Sequence, residues 1–303
     1  MAIGKYIKEI GRGKEGARPL TRAQAADLLG QVLDGAVTDL EVGAFCLAMR
    51  IKGETPEEMC GFLDAIHARL HLVPAHDHAR PTVVIPSYNG ARKLPVLTPL
   101  LALLLAREGL PVLVHGVATE SSRVFTADVF TALGVSACSS VAPIAPGTAA
   151  FVSTALLCPG LQKLLDVRRV VQLRNPAHSL VKLMTPCTGS SLLVTSYTHP
   201  EYAVSMAATL GLMQTHALLL RGTEGEAVAD PRRTPRMQTF VAGLPQPPTE
   251  PQAGSLPTLP DLPQTTDADA TARYIRSVLA GGSPVPQPIA QQVACILQMS
   301  KSL

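Results

Sequence analysis

The fold is decided by residues 82–116, which read TVVIPSYNGARKLPVLTPLLALLLAREGLPVLVHG. The β-branched run 82–85 predicts a buried strand, the apolar run 94–106 predicts a helix, and residues 112–114 predict a second strand. A turn that joins a strand to a helix often binds phosphate in α/β proteins, because backbone N–H groups and the helix dipole converge there. The turn here, residues 86–90, reads PSYNG, which raises the question of whether it still binds phosphate.

The same alternation of strand and helix continues along the chain. Short apolar runs predict further strands at 170–173, 192–195 and 217–220, and helical periodicity predicts helices at 127–133 and 202–210. We therefore predict an α/β fold with a largely parallel central sheet.

Two features mark the C-terminal part of the chain. Seven prolines within residues 245–263 predict an extended surface loop, because proline has no backbone N–H to donate. After this Pro-rich loop, helices are predicted at 267–280 and 289–297.

The first 71 residues predict a separate helical subdomain. Thr21, Thr38 and Thr55 each stand three residues before Glu or Gln, which is the capping-box pattern at a helix start. A short leading helix is expected before them. The chain is thus divided into a helical subdomain, 1–71, and an α/β domain, 72–303.

Composition predicts a soluble, cytoplasmic protein with no membrane partner. The chain has 303 residues and 47% hydrophobic residues, enough for a full core. Its apolar runs are too short to span a bilayer, and its N-terminus lacks the apolar core of a signal peptide. The six cysteines lie far apart and are expected to be reduced and mostly buried.

Charge is segregated along the sequence. The first 22 residues carry a net +4, and residues 78–107 and 167–200 each contain four basic residues and no acid. These three segments together carry +12, so the remainder carries −9 against the overall +3. If the segments meet in space, they would create a strong positive field.

Four segments together resemble a known family. They are RIKGETPEEMCGFLDA (50–65), HGVATESSRVFTADVFTALGV (115–135), QLRNPAHSLVKLM (172–184) and RGTEGEAVADPRR (221–233). In order and content they resemble glycosyltransferase family 3, the anthranilate phosphoribosyltransferase and nucleoside phosphorylase superfamily, and within it the YbiB-type branch of nucleic-acid-binding homodimers. The resemblance implies a helical subdomain that mediates dimerisation, packed on an α/β domain with a substrate cleft between them.

The phosphate-binding residues of that family are largely replaced. Where the transferases carry Gly-Thr-Gly-Gly-Asp against phosphoribosyl pyrophosphate, this chain reads PSYNG. The lysine of the transferase Lys-His-Gly-Asn-Arg segment is replaced by Val114. The resemblance therefore implies a degenerate phosphoribosyl pyrophosphate loop, with Tyr88 filling or capping the old pocket; its residues are Ser87, Tyr88, Asn89, Gly90, His115 and Gly116.

The metal-binding pair of the family is also missing. The transferases hold Mg²⁺ with the last two carboxylates of His-Gly-x-Asp-Gly-x-Asp-Glu, and these positions are Ala227 and Val228 here. Glu224 and Glu226 do not fall at the ligand positions in this register. We expect no cofactor and no metal site, with Mg²⁺ retained only if the chain is a transferase after all.

A transferase with an altered substrate is the alternative function. It would use residues that match the family's cleft, namely Ser121, Ser122, Asn175 and His178. Arg174 and His178 could contact an acid or a phosphate, whereas Asn175 could equally be only a turn residue. A pure protein-interaction role of the helical subdomain is a third and weaker hypothesis.

The main prediction is sequence-independent nucleic-acid binding by a homodimer that has lost its catalytic activity. A cleft that has lost the residues for binding phosphoribosyl pyrophosphate but has gained cations could bind the phosphate backbone of a nucleic acid. DNA is the expected ligand, and single-stranded DNA or RNA is the alternative. Tyr88 and Tyr6 are the candidates for base stacking. The predicted phosphate contacts are Lys5, Lys8, Arg12, Lys14, Arg92, Lys93, Arg168, Arg169, Arg174 and Lys182.

Overall fold

The computed structural model describes residues 3–76, 80–254, 256 and 258–303; the side chain of Lys14 is not described. Within these residues the helices are α1 (Gly4–Ile10), α2 (Gly13–Gly16), α3 (Arg22–Leu33), α4 (Asp39–Lys52), α5 (Pro56–His67), α6 (Thr98–Arg107), α7 (Thr126–Ala132), α8 (Thr154–Leu157), α9 (Pro159–Val171), α10 (Ala177–Leu180), α11 (Pro200–Leu212), α12 (Ala268–Leu279) and α13 (Gln287–Ser300). The strands are β1 (Thr82–Ser87), β2 (Val112–Gly116), β3 (Ala149–Ser153), β4 (Ser191–Tyr197), β5 (Ala217–Arg221), β6 (Met237–Val241) and β7 (Leu244–Pro245).

The strands form one seven-stranded sheet in the order β3-β2-β1-β4-β5-β6-β7. The pairs among β1 to β5 are parallel, and β6 and β7 add an antiparallel edge. The predicted largely parallel sheet is confirmed. After β3 the chain returns past the centre and places β4 on the other side of β1, so β1 and β4 form the switch point at which such sheets bind ligands.

The two faces of the sheet are buried against different sets of helices. Val84, Leu113 and Leu193 belong to a core shared with the N-terminal helices, α9 and α11. Their strand neighbours Val83 and Val112 belong to a second core with α6, α7, α12 and α13. Successive strand residues point to opposite faces, so this alternation explains why the central strands are apolar throughout.

The helical subdomain is built on the three predicted capping boxes. In each, the threonine hydroxyl accepts from the backbone N–H three residues on, and the Glu or Gln side chain accepts from the threonine N–H. Such a cap typically stabilises a helix by about 1 kcal/mol. Glu58 also joins elements, because its buried carboxylate accepts from Leu20 N–H at 2.9 Å and from Lys52 Nζ at 2.6 Å.

The strand predicted at 170–173 is wrong. This apolar run is the end of α9, and Gln172 caps the helix in the left-handed conformation with φ of 61°. Val170 is 84% exposed, so the run is not a buried strand. The prediction missed β3 instead, whose sequence AAFVS carries few β-branched residues.

The helix predicted at 94–106 begins later than expected. α6 starts at Thr98 and carries Pro99 in its first turn, where the missing N–H of proline costs no hydrogen bond within the helix. Residues 94–97 therefore extend the loop after β1. This lengthened loop is part of the candidate site.

The C-terminal predictions agree with the described structure. The Pro-rich loop begins with β7 and contains no helix in its described residues; residues 255 and 257 lie outside them. α12 begins after Asp267, whose carboxylate accepts from Ala270 N–H at 2.8 Å. No helix within the described residues is long and apolar enough to cross a membrane.

Candidate functional site

The candidate site lies where the carboxyl ends of the central strands face the helical subdomain. Loops 88–94 after β1, 198–199 after β4 and 222–228 after β5 meet at the switch point of the sheet. Ligands of open α/β sheets bind at this position, because loops on either side of the switch point diverge and leave a crevice.

The loop after β1 is closed by a carboxylate from the loop after β5. Glu226 is 2% exposed, and its Oε1 accepts from the backbone N–H groups of Asn89 at 2.7 Å and Gly90 at 2.8 Å. Its Oε2 accepts from the hydroxyls of Ser87 at 2.5 Å and Thr98 at 2.9 Å. Gly90 has φ of 66°, a left-handed conformation that favours glycine and that this turn requires.

A second carboxylate from the same loop binds the rest of the turn. Glu224 accepts from the backbone N–H groups of Arg92 at 2.6 Å, Lys93 at 2.9 Å and Leu94 at 3.4 Å. Five backbone N–H groups of loop 88–94 are therefore bound to two carboxylates of the same chain. Converging N–H groups of this kind are what binds phosphate in other α/β proteins.

Gly225, between the two glutamates, fixes the loops against each other. Its carbonyl oxygen accepts from Lys182 Nζ at 2.7 Å and from Ser196 Oγ at 2.9 Å. Its φ is 94°, and a Cβ at this position would lie 2.2 Å from Asn89 Nδ2. A larger residue would therefore separate the two loops.

Tyr88 fills the space beneath the loop. It is 4% exposed, and its hydroxyl lies 2.8 Å from both His115 Nδ1 and Thr154 Oγ1. Burial raises the pKa of Tyr88 and lowers that of His115 to about 3, so both are neutral. Tyr6 is also buried and donates to Asp27. The prediction that Tyr88 and Tyr6 stack on bases is therefore wrong, because neither ring faces solvent.

Apolar residues stand where the transferases have their metal-binding carboxylates. Ala227 and Val228, at the positions of the transferase carboxylates, are 1% exposed and apolar. The nearby carboxylates of Glu224 and Glu226 already accept hydrogen bonds from the loop after β1. The residues present do not fit a Mg²⁺ site, because Mg²⁺ requires oxygen ligands.

A cavity of about 390 Å³ remains beside these loops, between the helical subdomain and the α/β domain. This volume is at the lower end of the range for small-molecule sites. Its lining combines apolar and charged side chains, among them Met49, Arg50, Glu54, Met59, Arg174, Asn175, His178, Lys182, Tyr197, Tyr202 and Met206.

Two arginines pair with one glutamate near Arg174, which lines this cavity. Glu120 pairs with Arg168 at 2.5 Å and Arg123 at 3.1 Å. Burial, Arg168 and Arg123 all lower the pKa of Arg174, so the three guanidinium groups interact. Nη1 of Arg168 is buried without a hydrogen-bond partner among the described residues. One carboxylate leaves this arginine cluster, Arg123, Arg168 and Arg174, with excess positive charge.

Two further cavity residues have perturbed ionisation. Burial lowers the pKa of Lys182 to about 8, with Glu226 opposing and Arg174 adding to the shift. Burial and then Arg174 lower the pKa of His178 to about 4, so its ring is neutral at neutral pH. Nε2 of His178 is buried without a partner in the described structure. His178 can therefore offer or accept a hydrogen bond but carries no charge.

Asn175 supports the structural alternative that the sequence left open. Its side chain bridges Leu164 O at 2.7 Å and Ala177 N at 3.0 Å, as in a turn that starts a helix. Ser121 and Ser122 lie exposed in the turn after β2. The described lining of the cavity includes Asn175 and His178 but neither serine.

The predicted phosphate contacts divide into two groups. Arg92 and Lys93 are exposed on the loop after β1, whereas Arg174 and Lys182 line the cavity. Arg169 is exposed and pairs with Asp166 at 3.2 Å.

The cations of α1 and α2 lie elsewhere in the described structure. Lys8 is exposed on α1. Lys5 is 3.8 Å from Asp27, and Arg12 is 2.7 Å from Glu9. The side chain of Lys14 lies outside the described residues.

Several site residues were missed by sequence reasoning. Glu54 and Tyr202 line the cavity from separate elements, and no local pattern marks them. The pair Glu224 and Glu226 carried a signal, since two acids flank a glycine directly after a strand end. The sequence did not reveal that their carboxylates bind the N–H groups of a turn far earlier in the chain.

The helical subdomain matches a family model described as "Glycosyl transferase family, helical bundle domain" over residues 5–69. The chain is 41% identical over 303 residues to "Uncharacterized protein YbiB" of Escherichia coli K12, covering 98% of this chain and 94% of that protein. It is 28% identical over 293 residues to an anthranilate phosphoribosyltransferase of Idiomarina loihiensis, covering 93% and 85%.

Solved structures show the same fold. Anthranilate phosphoribosyltransferase (TrpD) from Thermus thermophilus has a TM-score of 0.71 at 22% identity, covering 95% of this chain and 85% of that one. The Saccharomyces cerevisiae enzyme in complex with PRPP and Mg has a TM-score of 0.71 at 14% identity, covering 98% and 88%.

Fold and cleft together define a protein of the phosphoribosyltransferase type, with a helical bundle packed on a parallel α/β sheet. The similarity to YbiB over almost the whole of both chains identifies the family further. The chain belongs to the anthranilate phosphoribosyltransferase-like proteins of glycosyltransferase family 3. The family membership predicted from its motifs is thereby confirmed.

Proposed function

We propose that this chain binds nucleic acid without sequence preference, as a homodimer, through a cleft that no longer binds phosphoribosyl pyrophosphate. One observation supports the proposal above all: the N–H groups of the turn after β1 are bound by Glu224 and Glu226. A diphosphate would have to displace two hydrogen-bonded carboxylates, of which that of Glu226 is buried, and would meet their charge. The exposed cations around the cleft are unaffected by this closure.

The cations suit a linear polyanion better than one compact ligand. Arg92 and Lys93 are exposed on the loop after β1, and Arg174 and Lys182 line the cavity beside these loops. Repeating phosphates can contact both sides in turn, and each neutralised phosphate releases counterions. Such contacts need no base readout, which matches the expected lack of sequence preference.

A homodimer is supported by an apolar stripe on α4. Leu40, Leu47 and Ile51 are 83%, 48% and 56% exposed and recur at helical spacing on one face. Asp39 and Arg50 lie on the same flank of this stripe near opposite ends of the helix. Antiparallel pairing across a two-fold axis would bury the stripe and place Asp39 of one copy near Arg50 of the other.

The salt dependence of binding tests the proposal. Anisotropy of a labelled single-stranded oligonucleotide should give an association constant that falls steeply between about 50 and 200 mM NaCl. Arg174→Ala and Lys93→Ala should each reduce the slope of log K against log salt by about 1. Arg273→Ala, which removes an exposed cation on α12, is the matched control and should leave the slope unchanged. A slope near zero for the unmodified protein would rule out the proposal.

A transferase with an altered acceptor is the second candidate function. The family relationship to anthranilate phosphoribosyltransferases and the cavity at Arg174, Asn175 and His178 favour it. It requires that Glu224 and Glu226 leave the loop after β1 when substrate binds. Isothermal titration with phosphoribosyl pyrophosphate and Mg²⁺ tests it: specific binding heat would support the transferase, and its absence would leave nucleic-acid binding.

A further inference from the structure

We propose that Asn89 and Gly90 form a latent deamidation site, which Glu226 keeps unreactive while the loop after β1 is closed. When Glu226 leaves the loop, Asn89 converts to aspartate or isoaspartate, and the new carboxylate keeps Glu226 from returning. The inference concerns a covalent change of this loop. It goes beyond the proposed function and does not depend on it.

The sequence places the reactive dipeptide at this turn. Asparagine is a chemically labile residue, and it reacts most readily before glycine, whose lack of a Cβ lets the backbone nitrogen approach the carboxamide. The chain has one other asparagine, Asn175, and it is followed by Pro176, which has no N–H. Asn89 is therefore the asparagine at which the reaction is open.

The reaction needs water and no other reagent. The backbone nitrogen of Gly90 attacks Cγ of Asn89 and forms a C–N bond, the bond from Cγ to Nδ2 breaks, and the leaving nitrogen takes the Gly90 amide proton and departs as ammonia. Water then opens the succinimide ring at either carbonyl, which gives aspartate or isoaspartate. No group is oxidised or reduced, and the new carboxyl group is ionised at neutral pH.

The closed loop withholds the attacking nitrogen. Gly90 N–H donates to Glu226 Oε1 at 2.8 Å, and Asn89 N–H donates to the same oxygen at 2.7 Å. The carbonyl oxygen of Asn89 accepts from Arg123 Nη1 at 2.8 Å. Both polar groups of the peptide between Asn89 and Gly90 are therefore bound. The nitrogen can turn towards Cγ only by breaking a hydrogen bond to a charged group, which is among the stronger hydrogen bonds in proteins.

The carboxamide of Asn89 is held as well. Asn89 is 5% exposed, and a Cβ on Gly225 would lie 2.6 Å from its Cγ. Gly225 therefore packs directly on the carbon that must be attacked and limits the access of water. Because Gly225 and Glu226 are adjacent in the loop after β5, one movement of that loop frees the nitrogen and the carboxamide together.

The product makes this opening irreversible. Glu226 is 2% exposed, so aspartate at position 89 would place a second carboxylate beside it in a buried site. Two carboxylates in one buried site disfavour each other's ionised form. Isoaspartate would in addition lengthen the backbone by one atom within the turn. Either product therefore disfavours the closed arrangement.

The rate of deamidation tests the proposal. Mass spectrometry of the intact protein and of its Asn89 peptide follows the conversion of the amide to the acid in mildly alkaline buffer, without any nucleic acid. The urea-unfolded chain should react at least about tenfold faster than the folded protein, and equal rates would overturn the inference. Glu226→Ala should raise the rate in the folded protein about tenfold, the factor that corresponds to about 1.4 kcal/mol of lost hydrogen bonding. Glu226→Gln keeps an acceptor oxygen and should retain part of the protection.

Glu58→Ala is the matched control. It removes another buried carboxylate, which accepts from Leu20 N–H and Lys52 Nζ in the helical subdomain, and it should leave the rate unchanged. Equal acceleration by Glu58→Ala and Glu226→Ala would show that global unfolding controls the reaction and would overturn the inference. Slower reaction of Glu226→Ala would show that the carboxylate promotes deamidation as a base, which is the opposite of the proposal.

Hydrogen exchange tests the irreversible step. Asn89→Asp reproduces one product, and the backbone N–H groups of loop 88–94 should exchange faster in it than in the unmodified protein. Equal protection would show that the loop closes again over the new carboxylate and would overturn this step. Because no oligonucleotide enters either experiment, these outcomes are independent of whether the protein binds nucleic acid.

Discussion

The contact between Glu226 and the loop after β1 gives the sharpest prediction on stability. Glu226→Ala removes a buried carboxylate that accepts four hydrogen bonds, from the N–H groups of Asn89 and Gly90 and the hydroxyls of Ser87 and Thr98. Hydrogen bonds to a charged group contribute about 1.5–3 kcal/mol each, offset in part by the cost of burying the charge. We therefore expect the free energy of unfolding to fall by about 3–5 kcal/mol.

Urea unfolding followed by circular dichroism measures this loss. The same experiment can show that the freed N–H groups bind an anion, because pyrophosphate at about ten times its dissociation constant would restore about 1.4 kcal/mol to the variant. The unmodified protein should gain nothing beyond a NaCl control of equal ionic strength. Glu250→Ala, which removes an exposed carboxylate outside the cleft, is the matched variant. Equal stabilisation of variant and unmodified protein by pyrophosphate would show that Glu226 does not keep the anion from these N–H groups.

Three further predictions concern charge, assembly and packing. The pKa of Lys182 is lowered to about 8, so its positive charge and its contribution to oligonucleotide affinity should be lost as pH rises through about 8, and Lys182→Met should remove this pH dependence. The pKa of Lys182 is lower in the folded protein than in the unfolded chain, so burying its charge destabilises the fold. This destabilisation is fully present below pH 8 and disappears as the pH rises towards about 10.5. The free energy of unfolding, measured against pH, should therefore rise over this range. Leu47→Asp, on the exposed α4 stripe, should convert the proposed dimer to monomer in analytical ultracentrifugation, whereas Val204→Asp, an exposed apolar position on α11, should not. Tyr88→Phe leaves His115 Nδ1 and Thr154 Oγ1 without the hydroxyl and should cost about 1–2 kcal/mol in thermal unfolding.

Much of the fold could be predicted from local sequence signals. The capping boxes at Thr21, Thr38 and Thr55 involve residues only three positions apart, so they can be recognised from the local sequence. The alternation of apolar runs and helices sufficed for the parallel sheet. Residues 170–173 misled because an apolar run of four residues fits the end of an amphipathic helix as well as a strand, and only its 84% exposed Val170 distinguishes them.

The candidate site could be predicted only in part. The turn at 86–90 and the missing metal ligands at Ala227 and Val228 are visible in the sequence, since each is a local departure from a family motif. The occupation of that turn by Glu226 depends on two loops far apart in the chain. No local propensity reports such a contact.

The cavity was unpredictable for the same reason. Glu54 belongs to the helical subdomain and Tyr202 to the α/β domain, and they line the same cavity only because the two subdomains pack together. With an aromatic content of 4%, few side chains could stack on bases, and Tyr88 and Tyr6 were the predicted candidates. Both are buried, which the sequence alone does not show.

We propose that the cleft binds a phosphate backbone while the loop after β1 stays closed by Glu224 and Glu226. A competition experiment tests it most directly: a labelled single strand is bound to the protein, and phosphoribosyl pyrophosphate with Mg²⁺ is added at constant ionic strength. We expect the labelled strand to stay bound when phosphoribosyl pyrophosphate is added and to be displaced by unlabelled strand. Displacement by phosphoribosyl pyrophosphate at concentrations where inorganic phosphate has no effect would show that the loop after β1 still binds a diphosphate in the cleft.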